Sequence, residues 1–348
     1  MLACVIRATG GLDQIQVENV PDPSGPPGPG QVRVAVRAAA LNHLDLFVVQ
    51  GLPGERGFPH VLGADGAGVV DAVGDGVTAV KAGDPVMINP GISDYTCEYC
   101  RAGEHSLCVN YRLLGEHLPG TLASSVVVPV HNLALLPTLD PPLTWAEAAA
   151  FSLVTLTAWR MVVTRAAVRA GETVLVWGVG GGVSLAALRI AKLLGARVIV
   201  TSSSDAKLAA ARPLGADVTL NHTTQRVAQE VRALTGKRGA DVVVDSVGEA
   251  TWEESLRVLA RGGRLVTCGA TSGPKVVTDL RRVFWNHYTI MGSTMGSASE
   301  YREVVRQLGA GHLRPIVDRV YPLIEARAAF ERLARGEQLG KVVVAIQA

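Results

Sequence analysis

Apolar and polar positions alternate with a period of two in the first third of the chain. Val32, Val34 and Val36 are separated by shorter or charged residues, which is typical of a strand with one buried face. Residues 21–30 are too rich in proline and glycine for a helix or a central strand. Further short strands are predicted over residues 66–73, 84–88 and 123–130. Many short strands with glycine turns predict a compact, barrel-like β domain.

From residue 144 helical and strand patterns alternate. Thr144 and Glu147 fit a capping box, and the helix that it starts is expected to run through residues 151–163. Six apolar strands are predicted at residues 173–177, 197–201, 218–220, 241–246, 264–269 and 288–292. Repeated strand–helix–strand units predict a doubly wound parallel sheet. A helix at 299–309 and a strand at 341–346 are expected to return to the first domain.

The length of 348 residues suits about two domains, each with its own core. We predict an α/β protein with a β-rich domain over residues 1–140 and a second domain, built on the parallel sheet, over 141–295. A C-terminal segment, 296–348, completes the first domain. A cysteine-rich lobe is expected at about residues 91–110.

Composition and charge exclude several classes of function. Apolar residues make up 48% and charged residues 18% of the chain, as in ordinary globular proteins, and a net charge of +2 gives no argument for nucleic acid or anionic membrane as a partner. The N-terminus lacks the pattern of a secretory signal, and apolar runs are too short to span a bilayer. Five cysteines, three of them clustered, indicate metal ligands rather than disulfides. We therefore expect a cytoplasmic protein.

A glycine turn follows the predicted strand that ends at Trp177. The turn contains Gly178, Gly180, Gly181 and Gly182, and a helix starting near Val183 follows it. Glycines let the backbone approach a pyrophosphate, and a helix N-terminus offers unpaired N–H groups and a positive dipole. Glycine also serves tight turns for steric reasons alone, but here the strand–turn–helix–strand context favours a dinucleotide.

Cys97, Cys100 and Cys108 lie close together in a turn-rich segment. Three thiolates at this spacing can converge on one tetrahedral zinc ion, which leaves one ligand position to fill. Asp94 is our candidate for the fourth ligand, and His105 is its competitor in the same segment. Such a closed site stabilises the fold and performs no chemistry.

A set of short motifs extends over essentially the whole chain. The set comprises GADGAG (63–68), GDPV (83–86), the cysteine lobe, LTAW (156–159), the glycine turn, DVVVDSVG (241–248), GGRLVTCGATSG (262–273) and GKVVV (340–344). Together they resemble the medium-chain dehydrogenase/reductase superfamily, which contains zinc alcohol dehydrogenases and zeta-crystallin-like quinone oxidoreductases. The resemblance implies a GroES-like catalytic domain, a Rossmann nucleotide domain and a dimer or tetramer. The dimer would extend the nucleotide-domain sheet at residues 289–296.

The resemblance also indicates that a catalytic metal has been lost. Zinc-dependent members place metal ligands at three positions that align here with Asn42, Ala64-Asp65 and Leu153. None of these residues except Asp65 is a usual zinc ligand, and one carboxylate cannot hold a Lewis-acid metal. The pattern is similar to the zinc-independent quinone and enone reductases. A rebuilt site that combines Asp65 with His43 or His60 is the alternative.

Several site residues are implied by the resemblance alone. It places Asn42, Asp45 and Asp65 near the nicotinamide, where Asn42 would donate a hydrogen bond to the substrate carbonyl. Other positions are implied to bind or line the cofactor: Thr157, Val183, Val247, Gly248, Met295 and Lys341.

The end of the second strand of the nucleotide domain favours NADP(H) over NAD(H). NAD-binding folds usually carry an acid here, which bonds the ribose 2′-hydroxyl. Ser202 occupies this position, and Ser203 and Lys207 can supply a hydroxyl and a cation to a 2′-phosphate. The same serines also suit a turn that caps the next helix.

We therefore expect an NAD(P)H-dependent oxidoreductase that transfers hydride to an enone, quinone or related carbonyl substrate, with one structural zinc ion and no catalytic one. Two alternatives are an alcohol dehydrogenase with an atypical zinc ligand set and an NADPH-binding protein without turnover.

Overall fold

The computed structural model describes residues 1–23, 25–54 and 56–346. The chain forms two compact units, one from Met1–Leu153 and Ser297–Ala348, the other from Val154–Gly296. The boundaries between the units thus follow Leu153 and Gly296, whereas the boundaries predicted from the sequence follow residues 140 and 295. The segment around Ala148 and Ala149 belongs to the first unit because these two buried alanines lie on a helix that packs on strands of that unit.

The first segment contains strands and short helices. They are β1 (Leu2–Ile6), β2 (Gln16–Asn19), β3 (Gln31–Ala40), α1 (His43–Gln50), β4 (His60–Val61), β5 (Asp65–Val73), β6 (Pro85–Ile88), β7 (Gly91–Ile92), α2 (Glu98–Arg101), β8 (Arg112–Leu113), β9 (Ser125–Pro129), β10 (Leu133–Leu135) and α3 (Trp145–Ala149). Strand β3 is the centre of this unit, because it pairs with β5 along one edge and with β9 along the other. Val32, Val34 and Val36 are fully buried, as the alternating pattern predicts.

The second unit is a six-stranded parallel sheet with helices. Helix α4 (Ser152–Trp159) spans the boundary after Leu153. The elements that follow it are β11 (Thr173–Val176), α5 (Gly182–Leu193), β12 (Arg197–Ser202), α6 (Asp205–Ala211), β13 (Val218–Asn221), α7 (Val227–Leu234), β14 (Ala240–Asp245), α8 (Glu249–Val258), β15 (Leu259–Thr267), α9 (Leu280–Asn286) and β16 (Thr289–Gly292). The strand order is β13-β12-β11-β14-β15-β16, and every pair is parallel. This confirms the predicted doubly wound sheet.

The helix predicted from the capping box is divided in the structure. Thr144 and Glu147 do form the box, since Glu147 N–H donates to Thr144 Oγ1 and Thr144 N–H donates to Glu147 Oε2. The first helix nevertheless ends at Ala149, and the Ala150 N–H is shared between the carbonyls of Ala146 and Glu147. Helix α4 then leads into a π-helical turn, Arg160–Arg165.

The C-terminal segment returns to the first unit, as expected from the sequence. It contains α10 (Ala298–Gly309), β17 (Val317–Pro322), α11 (Ala326–Ala334) and β18 (Lys341–Ala345). Strand β18 pairs with β17 and, through Val343–Ala345, with the end of β3. Among the described residues, no helix combines the length and apolar character that a membrane span requires.

Candidate functional site

The glycine turn lies between β11 and α5, at the carboxyl edge of the parallel sheet. Gly178 has φ +67° and Gly180 has φ +151°, backbone conformations that suit glycine. Gly181 precedes α5, whose first turn includes Gly182 and Val183 and, as in any helix, leaves backbone N–H groups without helical acceptors. The turn therefore offers the anion-binding geometry that the sequence predicts for a pyrophosphate.

Ser184 stabilises this turn. Its hydroxyl lies 2.9 Å from the carbonyl oxygens of both Gly178 and Gly181, and its side chain is buried. Gly178 N–H also donates to Thr201 Oγ1 at 3.2 Å, which ties the turn to the end of β12. The sequence analysis did not predict these hydrogen bonds.

The end of β12 carries hydroxyl groups instead of an acid. Ser202 is buried, Ser203 is exposed, and Lys207 is half-buried in the first turn of α6. Ser204 caps this helix, since its hydroxyl accepts the Lys207 N–H at 3.4 Å. The nearest acid in the sequence, Asp205, accepts a hydrogen bond from Asn221 Nδ2 at 2.7 Å. The turn therefore caps a helix, as one interpretation of its serines expects, and the 2′-phosphate interpretation stays a prediction.

Asp245 fixes the turn that contains Val247 and Gly248. Its carboxylate is fully buried and accepts four hydrogen bonds. Oδ1 accepts the Val247 and Gly248 N–H groups at 2.7 and 3.1 Å, and Oδ2 accepts the hydroxyls of Thr251 and Ser255. The sequence analysis missed this role, although an acid at the end of the buried strand in DVVVDSVG was a signal for it.

Val247 lies close to the glycine turn, because a Cβ atom added at Gly178 would meet Val247 Cγ2 at 3.7 Å. Thr157 and Met295 are both buried in this unit, and Thr157 Oγ1 lies 3.6 Å from Met295 Sδ. The structure thus brings the predicted cofactor residues of the second unit to the turns of one sheet edge and to this buried pair.

A buried polar cluster in the first unit contains Asn42, Asp65 and Lys341. Lys341 Nζ lies 2.9 Å from Asp65 Oδ2 and also donates to Asn42 Oδ1. Asn42 Nδ2 donates to the same Asp65 oxygen at 3.1 Å and to Ala40 O at 3.3 Å. Asp65 Oδ1 accepts the Leu153 backbone N–H at 2.8 Å. Both oxygens of Asp65 and both amide protons of Asn42 therefore have partners.

Asp45 lies next to this cluster, on the first turn of α1. Its Oδ2 accepts the Asn42 N–H at 2.7 Å, and its Oδ1 accepts the Gly63 N–H at 3.1 Å. Burial raises the pKa of Asp45 to about 7, and the charge of Asp65 acts in the same direction, while the two N–H donors and Lys341 oppose the shift. Asp45 therefore connects the helix start to the loop before β5.

Among the described residues, His43 and His60 are not grouped with Asp65 as converging metal-binding side chains. His60 Nε2 bonds to Gly115 O at 2.9 Å, and burial lowers the pKa of both histidines, with a further contribution from Lys341 at His43. In the described parts of the chain, one group of three or more metal-binding side chains converges, and it lies in the cysteine lobe.

The lobe brings Asp94, Cys97, Cys100 and Cys108 together, with their ligand atoms within 4.8 Å of one another. Asp94, rather than His105, is therefore the fourth member of the group. Zinc–sulfur bonds of about 2.3 Å would place tetrahedral thiolate ligands about 3.8 Å apart, so this arrangement fits a zinc ion with small adjustments.

Hydrogen bonds orient the ligand atoms of the lobe. Asp94 Oδ1 accepts the N–H groups of Thr96 and Cys97 at 2.8 and 3.0 Å, and its Oδ2 accepts Asn110 Nδ2 at 2.8 Å. These donors hold the pKa of Asp94 well below its usual range. Cys108 Sγ accepts the Asp94 N–H at 3.3 Å. Such outer contacts are typical of metal ligands and fix their orientation.

Comparisons with known proteins identify relatives over the full length. Family profiles described as "Alcohol dehydrogenase GroES-like domain" and "Zinc-binding dehydrogenase" match residues 28–138 and 182–310. A zinc-type alcohol dehydrogenase-like protein of Schizosaccharomyces pombe is 33% identical over 344 residues, which cover 97% of this chain and 96% of that protein.

Two further relatives carry more specific names. An acryloyl-coenzyme A reductase of Metallosphaera sedula is 32% identical over 346 residues, 99% of each chain. A crystal structure of an NAD-dependent alcohol dehydrogenase is 47% identical, covers 100% of both chains and superposes with a TM-score of 0.95. The two names describe different reactions.

Proposed function

The chain belongs to the medium-chain dehydrogenase/reductase superfamily and is an NAD(P)-dependent oxidoreductase, and we propose that it reduces a conjugated carbonyl compound without a catalytic metal. The substrate class is an enone, a quinone or a related carbonyl such as an unsaturated thioester. The name of the Metallosphaera relative supports this class, since an acryloyl group is an unsaturated acyl group.

One observation carries the proposal. Asp65, which aligns with a metal-ligand position of zinc-dependent members, is bonded to Lys341 Nζ, Asn42 Nδ2 and the Leu153 N–H. A metal ion at Asp65 would compete with the buried ammonium of Lys341 for the same oxygen. Asn42 and Leu153, at the other aligned positions, offer no thiolate or imidazole that would compensate.

Reduction of a conjugated carbonyl compound requires a hydride donor and a proton source. When bound, a nicotinamide would supply a hydride for the β-carbon of the conjugated system, and the charge would move to the carbonyl oxygen. A proton delivered to the α-carbon from solvent or a donor completes the reduction. Both amide protons of Asn42 are bonded within the cluster, so we assign Asn42, Asp45 and Asp65 the task of holding the active-site loops in place.

Metal-dependent alcohol oxidation is the second candidate function. The name of the 47% identical crystal structure favours it. It requires a Lewis acid to stabilise an alkoxide, so it predicts a second zinc ion outside the lobe.

The cofactor that we propose is NADP(H). The support comes from the end of β12, where Ser202 takes the place of the acid that usually bonds a ribose 2′-hydroxyl. Ser203 adds an exposed hydroxyl, and Lys207 adds a cation. The relative named NAD-dependent makes a direct comparison of the two cofactors necessary.

A single structural zinc ion in the lobe is also part of the proposal. Asp94, Cys97, Cys100 and Cys108 supply the four donor atoms. Their thiols remain available for a metal in a reducing compartment, which agrees with the proposed cytoplasmic location.

We further propose a homodimer built on β16. This strand lies at the edge of the parallel sheet, so one row of its backbone groups can pair with a second copy. Leu280, Phe284 and Trp285 of the neighbouring α9 are 70%, 62% and 70% exposed. An exposed apolar patch beside an open strand edge is typical of an interface between subunits.

The test is a substrate panel combined with metal analysis. NADPH and NADH oxidation is followed with an enone, a quinone and an acryloyl thioester, and NAD(P)⁺ reduction with primary and secondary alcohols. Zinc is counted after dialysis against a mild chelator in the wild type and in Cys97→Ser. Carbonyl reduction by a protein whose one zinc ion is lost in Cys97→Ser supports the proposal. Alcohol oxidation with a second zinc ion that survives Cys97→Ser overturns it.

A further inference from the structure

His222 lies beside the end of β12, although the two are distant in sequence. Strands β12 and β13 run parallel with Ser202 opposite Asn221, so His222 is the first residue beyond the sheet edge. Its backbone N–H donates to Ser202 O at 3.1 Å. Its Nδ1 lies 3.3 Å from Thr201 Oγ1. The imidazole is exposed, yet it is held in place by both contacts.

Thr201 determines how this imidazole is oriented. Thr201 Oγ1 accepts the Gly178 N–H at 3.2 Å, so its hydroxyl proton is free to donate to Nδ1 of a neutral His222. Nε2 then carries the ring proton. The ring centroid also lies 6.1 Å from that of Trp177, at the end of the neighbouring strand. His222 is thus connected to the glycine turn and to β12 at once.

In parallel nucleotide-binding sheets the adenosine ribose lies beyond the end of the second strand, which is β12 here. We propose that His222, together with Ser203 and Lys207, binds the cofactor's 2′-phosphate, and that its protonated form selects NADP(H) over NAD(H). This inference rests on the proposed cofactor preference. It adds a residue from β13 to a site that the sequence assigned to the β12 turn alone.

The charged groups at this edge determine how much the protonation of His222 changes the charge that a phosphate would meet. Helix α6 contributes one cation, Lys207, and one anion, Asp205, which is anchored here by Asn221 Nδ2. Trp177, Thr201 and Ser202 contribute no charge. Arg226, at the start of α7, is an exposed cation four residues after His222, and it lines a cleft with Glu254 and Arg257. The charges of Lys207 and Asp205 have opposite signs, so protonation of His222 adds a positive charge to this edge of the sheet.

Binding of the phosphate is therefore linked to protonation. Partial burial of the ring lowers the pKa of His222 from its ordinary value, and a phosphate dianion beside it would raise that pKa. NADP(H) affinity should increase as pH falls from about 8 toward 6, by at most about tenfold per pH unit for one proton. Below about pH 6 the phosphate itself gains a proton, and the gain ends. NAD(H) affinity should stay constant.

The test uses the full-length protein and isothermal titration of NADP⁺ and NAD⁺ between about pH 6.5 and about pH 8.5, the range in which histidines titrate. Buffers of different ionisation enthalpy report the protons taken up on binding. His222→Gln is compared with His312→Gln, which changes an exposed histidine of the other unit. NAD⁺ affinity serves as the check that each variant keeps its fold and its dinucleotide site.

The expected result is proton uptake with NADP⁺ alone, together with an NADP⁺ affinity that falls with increasing pH. Both effects should disappear in His222→Gln and persist in His312→Gln. If NADP⁺ is preferred with the same pH profile in wild type and His222→Gln, the role of His222 is refuted while the cofactor proposal stands. If NAD⁺ binds more tightly across the whole range, both the cofactor preference and the role of His222 are refuted.

Discussion

Lys341 Nζ lies 2.9 Å from Asp65 Oδ2, and the side chains of the two residues are 4% and 0% exposed. The pair joins the last strand, β18, to the start of β5 across 276 residues of sequence. Asn42 bonds to both partners, so the ion pair is embedded in hydrogen bonds, as a buried charge pair must be to persist.

Removing one charge of this pair should be costly. Lys341→Met leaves the Asp65 carboxylate buried without its cation, and we expect a loss of about 3–5 kcal/mol in the free energy of unfolding. The double variant Lys341→Met/Asp65→Leu removes both charges and should regain most of this loss. Urea denaturation of the wild type, the single variant and the double variant measures the free energy of unfolding. Equal stabilities of the single and double variants would contradict the buried ion pair.

The same variants test whether Lys341 also binds the cofactor, as the resemblance implies. If it holds Asp65 and Asn42 without touching the cofactor, the double variant binds NADPH as the wild type does. A cofactor dissociation constant that rises at least about tenfold in the double variant, equivalent to about 1.4 kcal/mol, would assign Lys341 to the cofactor site.

The pH dependence of stability should contain a contribution from Asp45. Its folded pKa, about 7, lies above the ordinary 3.8, so the folded protein retains a proton that the unfolded chain releases. The free energy of unfolding therefore falls as pH rises between about 4 and 7, by up to about 1.4 kcal/mol per unit. Asp45→Asn should lack this component, whatever its absolute stability. Parallel slopes for the two proteins across this range would contradict the expectation.

Most elements of the fold could be predicted from local sequence patterns. The alternation at Val32, Val34 and Val36, the glycine turn and the six apolar strands of the second unit are encoded by neighbouring residues, so the sequence predicted them. The cysteine lobe is equally local, and the structure brings its four predicted donors together.

Contacts between residues that are distant in sequence could not be predicted in this way. The partner of Lys341 depends on how β18 returns to the first unit, and no local pattern indicates which carboxylate it meets. Asn42 was expected to face a substrate, but its amide bonds to Asp65 and Ala40 O. His222 lies next to Ser202 because of the register of two strands, which the sequence does not contain.

Zinc binding by the cysteine lobe should depend on the fourth ligand, Asp94. Asp94→Ala removes one donor and the acceptor for the Thr96 and Cys97 N–H groups, so we expect loss of zinc to a mild chelator and a lower melting temperature. Asp94→Cys creates a four-thiolate site and should retain zinc against a stronger chelator than the wild type does. Zinc content is measured on both variants, with His105→Ala as the control, because His105 stands outside the group. Zinc loss in His105→Ala with retention in Asp94→Ala would reverse the ligand assignment.

Asp245 should tolerate an amide but not an alanine. In Asp245→Asn the oxygen can still accept the Val247 and Gly248 N–H groups, and the Thr251 and Ser255 hydroxyls can rotate to accept from the new amide. In Asp245→Ala the N–H groups of Val247 and Gly248 and the Ser255 hydroxyl lose the acceptor that Asp245 provides, which should cost more than about 3 kcal/mol of stability. The Thr251 hydroxyl keeps Gly248 O as an acceptor. Chemical denaturation compares the two. An Asn variant as unstable as the Ala variant would indicate that the negative charge itself is required.

The proposed dimer depends on a strand edge and three exposed apolar side chains. A pair of β16 strands would continue the parallel sheets of two subunits into each other, and α9 would bring Leu280, Phe284 and Trp285 to the contact. Because a glutamate at the centre of such a contact is buried without a partner, Trp285→Glu should shift the protein toward a monomer. Ile324→Glu is the matched control, since Ile324 is 73% exposed in the other unit and should leave assembly unchanged. Light scattering coupled to size-exclusion chromatography gives the mass of each variant. A wild type that is monomeric at micromolar concentration, or a Trp285→Glu variant that remains dimeric, would show that this patch serves another purpose.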